Sequence, residues 1–514
     1  MKRYFPILSW LPAYKKAYLS GDIFAGITVG VMLIPQGMAY AMIAGLPPVF
    51  GLYAALVPQV IYALTGTSRQ LAIGPVAMDS LLIASGLGTL SISGIDEYIS
   101  MAIFLSLFIG TIQLAMGFLK MGFLVNFLSK PVINGFTSAA ALIIGISQLK
   151  HLLGIEITSN KTLHILQQTF LQLDQINPLA VIVGLSGIAL MLIIKRLNSQ
   201  IPTAIVVVIL GIALAYFTPI ADYGLQLVGK IPDGLPAFKI PEVPWSNLGD
   251  LFTIALAMAL IAFMEVISIG KALDEKVNAN TIIPNQELIA LGTSNIMGSL
   301  FQSYPTTAGF SRTAVNFQAG AKTGVAAFIS AALVALTLLF LTPLFYYLPN
   351  AILASIIMLA ITSLIDFKYP QELYKYQKDE FVLLMATFFI TLLVGIQEGI
   401  ILGVLFSLLL MVYRTSKPHM AVLGQIKGTT YFKNITRFAP DIIDRKDILV
   451  LRFDAQLFFG NKDYFYKQLK RHKIAKGPDL KVIIINAEAI NYIDSSATYI
   501  IKHLILELKD QEIQ

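Results

Sequence analysis

Two interrupted apolar segments contain the residue types that could bind an anion. The first reads QLAIGPVAMDS at residues 70–80, and the second reads YPTTAGFSRTAVN at residues 304–316. Because proline lacks an N–H and fits the first turn of a helix, each segment predicts a short extended piece followed by a half-helix. The half-helices are expected to begin near Val76 and near Ser311. Their unpaired N–H groups and partial positive charge suit an anion. The alternative is that glycine and proline only kink ordinary helices.

Arg312 and Glu265 are charged residues inside apolar segments, where a charge is costly and functional by default. Arg312 can bind an oxyanion through its planar fork of donors, or it can hold two parts of the chain together by pairing with a carboxylate. Glu265 lies within IALAMALIAFMEVISIG, and a carboxyl group removed from water takes up a proton more readily. It is therefore a candidate proton carrier, a partner of Arg312, or a member of a purely structural ion pair.

Gln36 and Tyr40 lie four residues apart in IPQGMAYAMIAG, on one face of a predicted helix. Both side chains can hydrogen-bond an oxyanion, and both equally suit polar contacts between packed helices. Nothing in the sequence favours an enzyme, a metal site or a cofactor. The chain has no cysteine, and its 5 histidines form no HxxxH pair. The lack of a GxxxxGK loop argues against ATP-driven pumping.

The composition is typical of a membrane protein. Hydrophobic residues make up 56% of the chain and charged residues 13%, whereas a soluble domain carries about 25% charged residues. The positive residues behind the net charge of +7 are scattered between apolar runs, which favours a lipid bilayer over nucleic acid as a partner. We predict fourteen transmembrane segments, at residues 22–45, 47–65, 73–89, 98–119, 128–149, 177–195, 201–217, 250–273, 285–301, 310–320, 322–345, 350–366, 379–396 and 397–413.

The order of these segments indicates an internal repeat. Seven precede the polar stretch 218–249 and seven follow it, and the interrupted segment is third in each half. An odd number per half inverts the second repeat, and paired interruptions are typical of a transporter binding site. Lys and Arg concentrate in the loops on the side of the termini, which predicts that both termini are cytoplasmic. The fold class expected is a polytopic α-helical protein of the cell (inner) membrane with 7+7 inverted repeats.

The chain changes character after Arg414. Segments 447–453 and 482–486 are typical of buried strands and segments 461–472 and 495–508 of helices, which predicts a small cytoplasmic α/β domain. We expect this domain to be incomplete at its C-terminus. The predicted domains are a cytoplasmic segment at 1–20, a transporter domain at 21–415 with repeats at about 21–217 and 250–413, and the α/β domain at 420–514.

Three stretches of sequence resemble one known family. They are IPQGMAYAMIAGLPPVFGLYAALVP at 34–58, NQELIALGTSNIMGSLFQSYPTTAGFSRTAVNFQAGAKT at 285–323, and NYIDSSATYI at 491–500. The first two resemble the SulP family of sulfate permeases and related anion transporters, and the third resembles the loop of a STAS domain. The resemblance covers essentially the whole chain in the right order.

The resemblance implies a core domain that holds the substrate between the third and tenth helices, moves against a gate domain, and belongs to a homodimer. An acidic residue linked to proton coupling in some members matches Glu265. Val76 and Ala77 match the third-helix turn and offer backbone N–H groups rather than a hydroxyl. The family positions that contact substrate match Gln36, Tyr40, Val76, Ala77, Ser311 and Arg312.

The STAS-like motif raises the question of phosphorylation. In related soluble regulators, the serine after Asp in DSS is phosphorylated, and Ser495 after Asp494 matches it. Transporter STAS domains often lack this use. Packing, or binding of a cytosolic partner, is therefore the favoured role for this segment.

The leading hypothesis is proton-coupled uptake of sulfate by alternating access with an elevator-like core movement. Arg312 and two helix N-termini can offset a divalent oxyanion, and a proton on Glu265 removes a competing negative charge. Sodium-coupled bicarbonate transport, with Ser268 and Glu265 as part of a cation site, and proton-coupled dicarboxylate transport are alternatives. A passive anion channel and a STAS-linked sensor are alternatives of other classes.

Overall fold

The computed structural model describes residues 4–88, 90, 92, 94–127, 129–157, 162–197, 203–230, 232–242, 245–277, 282–362, 365–438 and 442–514. The chain divides into two compact units, the first ending at Val404 and the second running over Leu405–Gln514. Residues 89, 128, 201–202 and 363–364, which belong to predicted transmembrane segments, lie outside this description.

Every predicted segment of the first half coincides with a helix in the described residues. The helix of the first predicted span begins at Lys16 rather than at residue 22, because its polar first turn fell below the apolar content expected of a spanning segment. The helices of this half are Lys16–Ile43, Pro48–Ala54 continued by Val57–Thr65, Ala77–Leu87, Ile95–Phe118, Lys130–Ser147, Pro178–Leu197 and Thr203–Phe217.

The second half repeats this order, which confirms the predicted fold class. In both halves the third segment is a short helix preceded by a two-residue strand, Ile73–Gly74 or Thr307–Ala308. The helices of this half are Leu248–Val277, Pro284–Leu300, Phe310–Gln318, Val325–Leu336 continued by a π turn at Thr337–Leu341 and a 3-10 helix at Thr342–Tyr347, Asn350–Ile361, Lys378–Leu393 and Ile396–Ser416.

Among the described residues, 7 stretches are long and apolar enough to cross a bilayer, by length and composition. The remaining spans are shorter or less apolar, as in the two half-helices. Further elements were not predicted as spans because they are brief or polar. They are α-helices Ile7–Trp10, Leu149–Leu153, Thr162–Leu171 and Lys368–Tyr376, and 3-10 helices Met121–Phe127, Leu173–Gln175, Ile220–Tyr223 and Trp245–Asn247.

Glycines bring pairs of helices into backbone contact. A Cβ on Gly51 would lie 1.9 Å from the carbonyl oxygen of Gly37, and a Cβ on Gly110 would lie 2.7 Å from the carbonyl oxygen of Gly292. Without a hydrophobic driving force between helices in lipid, such close packing of small residues is a main source of their association. The crossing at Gly37 joins the helix that carries Gln36 to the helix that follows it.

We expect Gly51→Ala to lower the yield of monodisperse protein and its apparent melting temperature. The new methyl group would overlap a main-chain oxygen, and overpacking costs about 1–3 kcal/mol even where side chains can adjust. Gly249→Ala is the matched control, because nothing lies within 4 Å of a Cβ at that position. Equal thermal stability of the two variants in detergent would contradict this account of the crossing.

The C-terminal unit is a small α/β domain, as predicted. Its sheet contains Met420–Ile426, Phe432–Asn434, Ile442–Ile443, Ile448–Phe453 and Val482–Asn486. The last two strands are parallel, and the other pairs are antiparallel. Helices Lys462–Lys476 and Ser495–Lys509 carry buried apolar residues, including Phe465, Leu469 and Leu504, which belong to the same apolar cluster as Leu449, Leu451 and Phe453 of the central strand.

Asp494 fixes the start of the last helix. Its Oδ1 accepts a hydrogen bond of 2.7 Å from the N–H of Ala497, and its Oδ2 accepts one of 2.8 Å from the N–H of Phe459. A side chain that caps an N-terminus in this way satisfies an otherwise unpaired donor. Ser495 is therefore held at the first position of the helix, where it is exposed.

Candidate functional site

A two-stranded antiparallel ribbon joins the two interrupted segments. Ile73 pairs with Ala308, and Gly74 pairs with Thr307. The extended pieces expected from the sequence are therefore confirmed, and in addition they bond to each other. Non-helical backbone at membrane depth is tolerated only where its polar groups find partners within the protein. The ribbon supplies those partners at the point where the two segments are not helical.

Both half-helices start directly after this ribbon. The first is Ala77–Leu87, preceded by Val76 in an extended conformation, and the second is Phe310–Gln318, preceded by Gly309. Neither start has a side-chain cap. The first N–H groups of a helix have no partner within it, so each start presents donors and the positive end of a helix dipole. The second half-helix begins one residue before the predicted Ser311.

Arg312 connects the two interruptions. Its side chain is only 2% exposed, and its Nη1 donates a hydrogen bond of 2.6 Å to the carbonyl oxygen of Pro75. A Cβ at position 309 would lie 3.0 Å from the guanidinium carbon, so Gly309 leaves the space that the guanidinium needs. In the described part of the chain, Nε and Nη2 of Arg312 are buried without a hydrogen-bond partner. Arg312 therefore anchors one donor and keeps two for another group.

A cavity of about 70 Å³ lies beside these donors. A cavity needs about 10–15 Å³ to hold one water molecule, so this one has room for a small ion. The structure brings all seven sequence-predicted site residues to its wall. The cavity is lined by Gln36, Tyr40, Val76, Ala77, Met78, Glu265, Ala308, Gly309, Phe310, Ser311, Arg312 and Ala360.

Gln36 and Tyr40 project from the first helix into this cavity. Each side chain is 7% exposed, and neither forms a side-chain hydrogen bond to another described residue. Because neither side chain has such a partner, the structure does not support the alternative that they form polar contacts between packed helices. Their amide and phenol groups remain able to bond to a molecule in the cavity.

Ser311 lies at the exposed end of the site, next to Phe310, whose side chain is 55% exposed. Val76 and Ala77 are buried on the opposite half-helix start. The cavity is therefore enclosed on the first half-helix side and accessible beside the second. A hydroxyl at the accessible end can donate to an entering oxyanion.

Glu265 lines the cavity from helix Leu248–Val277. Its Oε2 is buried without a hydrogen-bond partner, and no oxygen of Glu265 lies within 4.0 Å of an Arg312 nitrogen in the described structure. The interpretation that the two residues form a direct ion pair is therefore wrong for this conformation. They line the same cavity without direct contact.

Asp79 is a residue of this region that the sequence did not assign. It is 1% exposed, in the first turn of the first half-helix. Its Oδ1 has no hydrogen-bond partner among the described residues. The signal available in the sequence was its position three residues after Val76, which places it close to the helix start.

A buried network supports the second interruption. Asn295 accepts hydrogen bonds of 2.9 and 3.1 Å from the N–H and hydroxyl of Thr306 through its Oδ1. Its Nδ2 donates to Gln113 at 3.1 Å, and Gln113 donates to the carbonyl oxygen of Ala259 at 3.4 Å. Thr307 also donates to the backbone of the helix that carries Glu265. These bonds fix the ribbon to three neighbouring helices, so the site has a rigid frame.

Comparison with known proteins identifies this architecture. The model described as the sulfate permease family matches residues 19–387, and the model of the STAS domain matches residues 439–514. The chain belongs to the sulfate permease family. It is therefore a multi-pass membrane transporter for a small anion and not an enzyme.

Curated relatives of this sulfate permease family protein include two plant transporters. The chain is 37% identical to "Sulfate transporter 4.1, chloroplastic" of Arabidopsis thaliana, over 99% of this chain and 76% of that protein. It is 33% identical to "High affinity sulfate transporter 2" of Stylosanthes hamata, over 99% of this chain and 80% of that protein.

Solved structures of related proteins share the fold. The overall structure of SLC26A9 matches with a TM-score of 0.90 and 26% identity, over 100% of this chain and 86% of that one. The murine Slc26a9 anion transporter in the inward-facing state matches with a TM-score of 0.91, 26% identity, and coverage of 99% and 87%. The transmembrane domain of the cyanobacterial bicarbonate transporter BicA shares the fold at 23% identity and a TM-score of 0.66, over 77% of this chain and 98% of that one.

Proposed function

We propose that the protein takes up sulfate together with protons. The observation that carries this proposal is the pair of unpartnered Arg312 donors beside the cavity that two half-helix starts enclose. Arg312 supplies one positive charge, and each helix start contributes about half a charge. Together they offset the two negative charges of sulfate. The names of the plant relatives agree with this substrate.

Sulfate would sit at the centre of the predicted site residues. Arg312 would bind it with Nε and Nη2, a side-on pair of donors that matches two oxygens of an oxyanion. Backbone N–H groups at Val76, Ala77 and Ser311, with the Ser311 hydroxyl, would bind from the two half-helix starts. Gln36 and Tyr40 would close the site from helix Lys16–Ile43 and limit the size of the anion that fits.

Proton coupling follows from Glu265. A carboxylate charge in a water-poor cavity competes with the anion, and protonation removes that competition. Transport of the proton and the anion in the same step is then favoured over transport of either alone. Because the ribbon ties both half-helices to each other and to their neighbours, we propose that they move as one body against the rest of the membrane domain in an elevator-like cycle.

The proposal also covers the membrane location, oligomeric state, topology and domain borders of the protein. We place the protein in the inner membrane as a homodimer with both termini in the cytoplasm, in accord with the distribution of Lys and Arg in the loops. The proposed domain borders are those of the sequence, with a membrane domain at 21–415 and a STAS domain at 420–514. The STAS domain would bind a cytosolic partner through its exposed surface.

Uptake of radiolabelled sulfate into proteoliposomes tests the proposal. We expect an inward proton gradient to drive accumulation above the external concentration, and no accumulation without it. Unlabelled bicarbonate and dicarboxylates serve as competitors, with and without sodium. Absence of sulfate uptake under both conditions contradicts the substrate assignment. Sulfate flux that only equilibrates across the membrane, whatever the gradient, indicates a passive anion channel and contradicts the coupling.

A further inference from the structure

Asp79 is a buried carboxyl group next to the site that the proposed cycle does not use. It is 1% exposed, and its Oδ1 has no hydrogen-bond partner in the described structure. It lies three residues after Val76, in the first turn of the helix whose N-terminus faces the cavity. A buried charge without a partner is expensive, so a carboxyl group in this setting requires a specific reason to be there.

The ionisable groups around Asp79 come from several elements. Helices Lys16–Ile43 and Leu248–Val277, which carry Tyr40 and Glu265, pack against the first half-helix. Arg312 reaches this region from the second half-helix through its bond to Pro75. The hydroxyl of Tyr304 lies 3.4 Å from the hydroxyl of Ser80, the residue after Asp79. The remaining two helices packed against the first half-helix, Ile95–Phe118 and Lys130–Ser147, have ionisable side chains only among their first four residues: Asp96, Glu97, Tyr98 and Lys130.

Charge balance decides whether both carboxyl groups can be ionised when a divalent anion binds. With both ionised, their two negative charges cancel Arg312 and the two helix ends, which contribute about half a charge each. One proton leaves a balance of about one positive charge. Two protons leave about two positive charges, which matches a divalent anion. Two carboxylates that share a low-dielectric site also repel each other, which favours proton uptake.

We propose that Asp79 is a second proton-carrying residue, so that each divalent anion crosses with two protons, one on Asp79 and one on Glu265. This inference rests on the proposed proton-coupled uptake of sulfate. With this stoichiometry the transported ions carry no net charge, because two protons balance the charge of one sulfate. The unpartnered Oδ1 of Asp79 and the unpartnered Oε2 of Glu265 are the atoms that would hold the two protons.

The accumulation ratio of sulfate measures the number of coupled protons. In proteoliposomes with the membrane potential held at zero by potassium and valinomycin, two protons per sulfate give about 100-fold accumulation per pH unit, and one proton gives about tenfold. We expect about 100-fold for the wild-type protein and about tenfold for Asp79→Asn. Asp250→Asn is the matched control, since it removes an exposed carboxyl group from the helix of Glu265 and is expected to retain the wild-type ratio.

The dependence of sulfate accumulation on membrane potential distinguishes proton carriage by Asp79 from a merely structural role. Two protons with one sulfate carry no net charge, so wild-type accumulation should not change with potential. With one proton the complex carries one negative charge, and 60 mV, inside negative, lowers accumulation about tenfold. We therefore expect Asp79→Asn to make accumulation sensitive to potential, whereas Asp250→Asn should not.

Proton counting in detergent applies if Asp79→Asn does not transport. Sulfate is added to purified protein in weak buffer at a pH where both carboxyl groups are ionised before binding, and the protons taken up per bound sulfate are counted. We expect two for the wild type and one for Asp79→Asn. A wild-type ratio of tenfold per pH unit, or the same proton count in both proteins, overturns this inference and leaves proton coupling intact. No gradient-driven accumulation by the wild type overturns the proposed function itself.

Discussion

Replacing Arg312 with alanine is expected to lower the initial rate of sulfate uptake at least 100-fold, about 2.7 kcal/mol. Hydrogen bonds to a charged group contribute about 1.5–3 kcal/mol each, and Nε and Nη2 are two donors without another partner among the described residues. The substitution also removes the positive charge that attracts the anion into the cavity. Uptake of labelled sulfate into proteoliposomes over the first seconds measures the effect.

Three comparisons separate binding from folding in this experiment. Arg69→Ala removes an exposed arginine near the first interruption and should leave uptake unchanged. Arg312→Lys keeps the charge but loses the planar fork, so its uptake should stay well below that of the wild type. The loss of the bond to Pro75 could also loosen the ribbon, and size-exclusion chromatography with thermal stability monitors this. A stable Arg312→Ala protein that takes up sulfate at the wild-type rate would disprove the role of Arg312.

Replacing Glu265 with glutamine is expected to lower the accumulation of sulfate about tenfold per unit of pH gradient at zero potential, because one coupled proton is lost. Adding Asp79→Asn should abolish accumulation, since neither carboxyl group remains. Glutamine resembles the protonated acid in size and charge, so exchange of labelled for unlabelled sulfate should persist in both variants. The two assays on the same vesicles distinguish loss of coupling from loss of binding.

The control for Glu265→Gln is again Asp250→Asn on the same helix. Undiminished accumulation by Glu265→Gln, with exchange also at the wild-type level, would contradict proton carriage by Glu265. Loss of both accumulation and exchange would assign Glu265 to the binding of the anion or to the packing of its helix. Only the expected tenfold decrease in accumulation, with retained exchange, fits the two-proton cycle.

Local rules explain what could be predicted from the sequence. Apolar length and the restrictions imposed by glycine and proline act within a few residues, so the fourteen segments and the starts of the half-helices were predicted closely. The first half-helix begins at Ala77 and the second at Phe310, next to the expected Val76 and Ser311. The family resemblance grouped seven of the twelve cavity-lining residues in advance, although their role in binding remains a prediction.

Contacts between distant segments could not be predicted in the same way. The pairing of Ile73 with Ala308 joins residues more than 200 positions apart, and no local pattern specifies that register. The burial of Asp79 depends equally on what packs around the first half-helix. The bonds from Asn295 to Thr306 and Gln113 also link three segments. Helix Lys368–Tyr376 was missed for another reason, since its polar composition is not that of a span.

The ribbon between the interrupted segments has a consequence for the evolution of selectivity. Its bonds join main-chain atoms of Ile73, Gly74, Thr307 and Ala308, and main-chain bonds form with many different side chains. The relative placement of the two helix starts is therefore inherited independently of the side chains beside them. Substitutions at Ala77 can then alter the size or chemistry of the accepted anion without rebuilding the frame. We expect selectivity to diverge at such positions while the ribbon itself is retained.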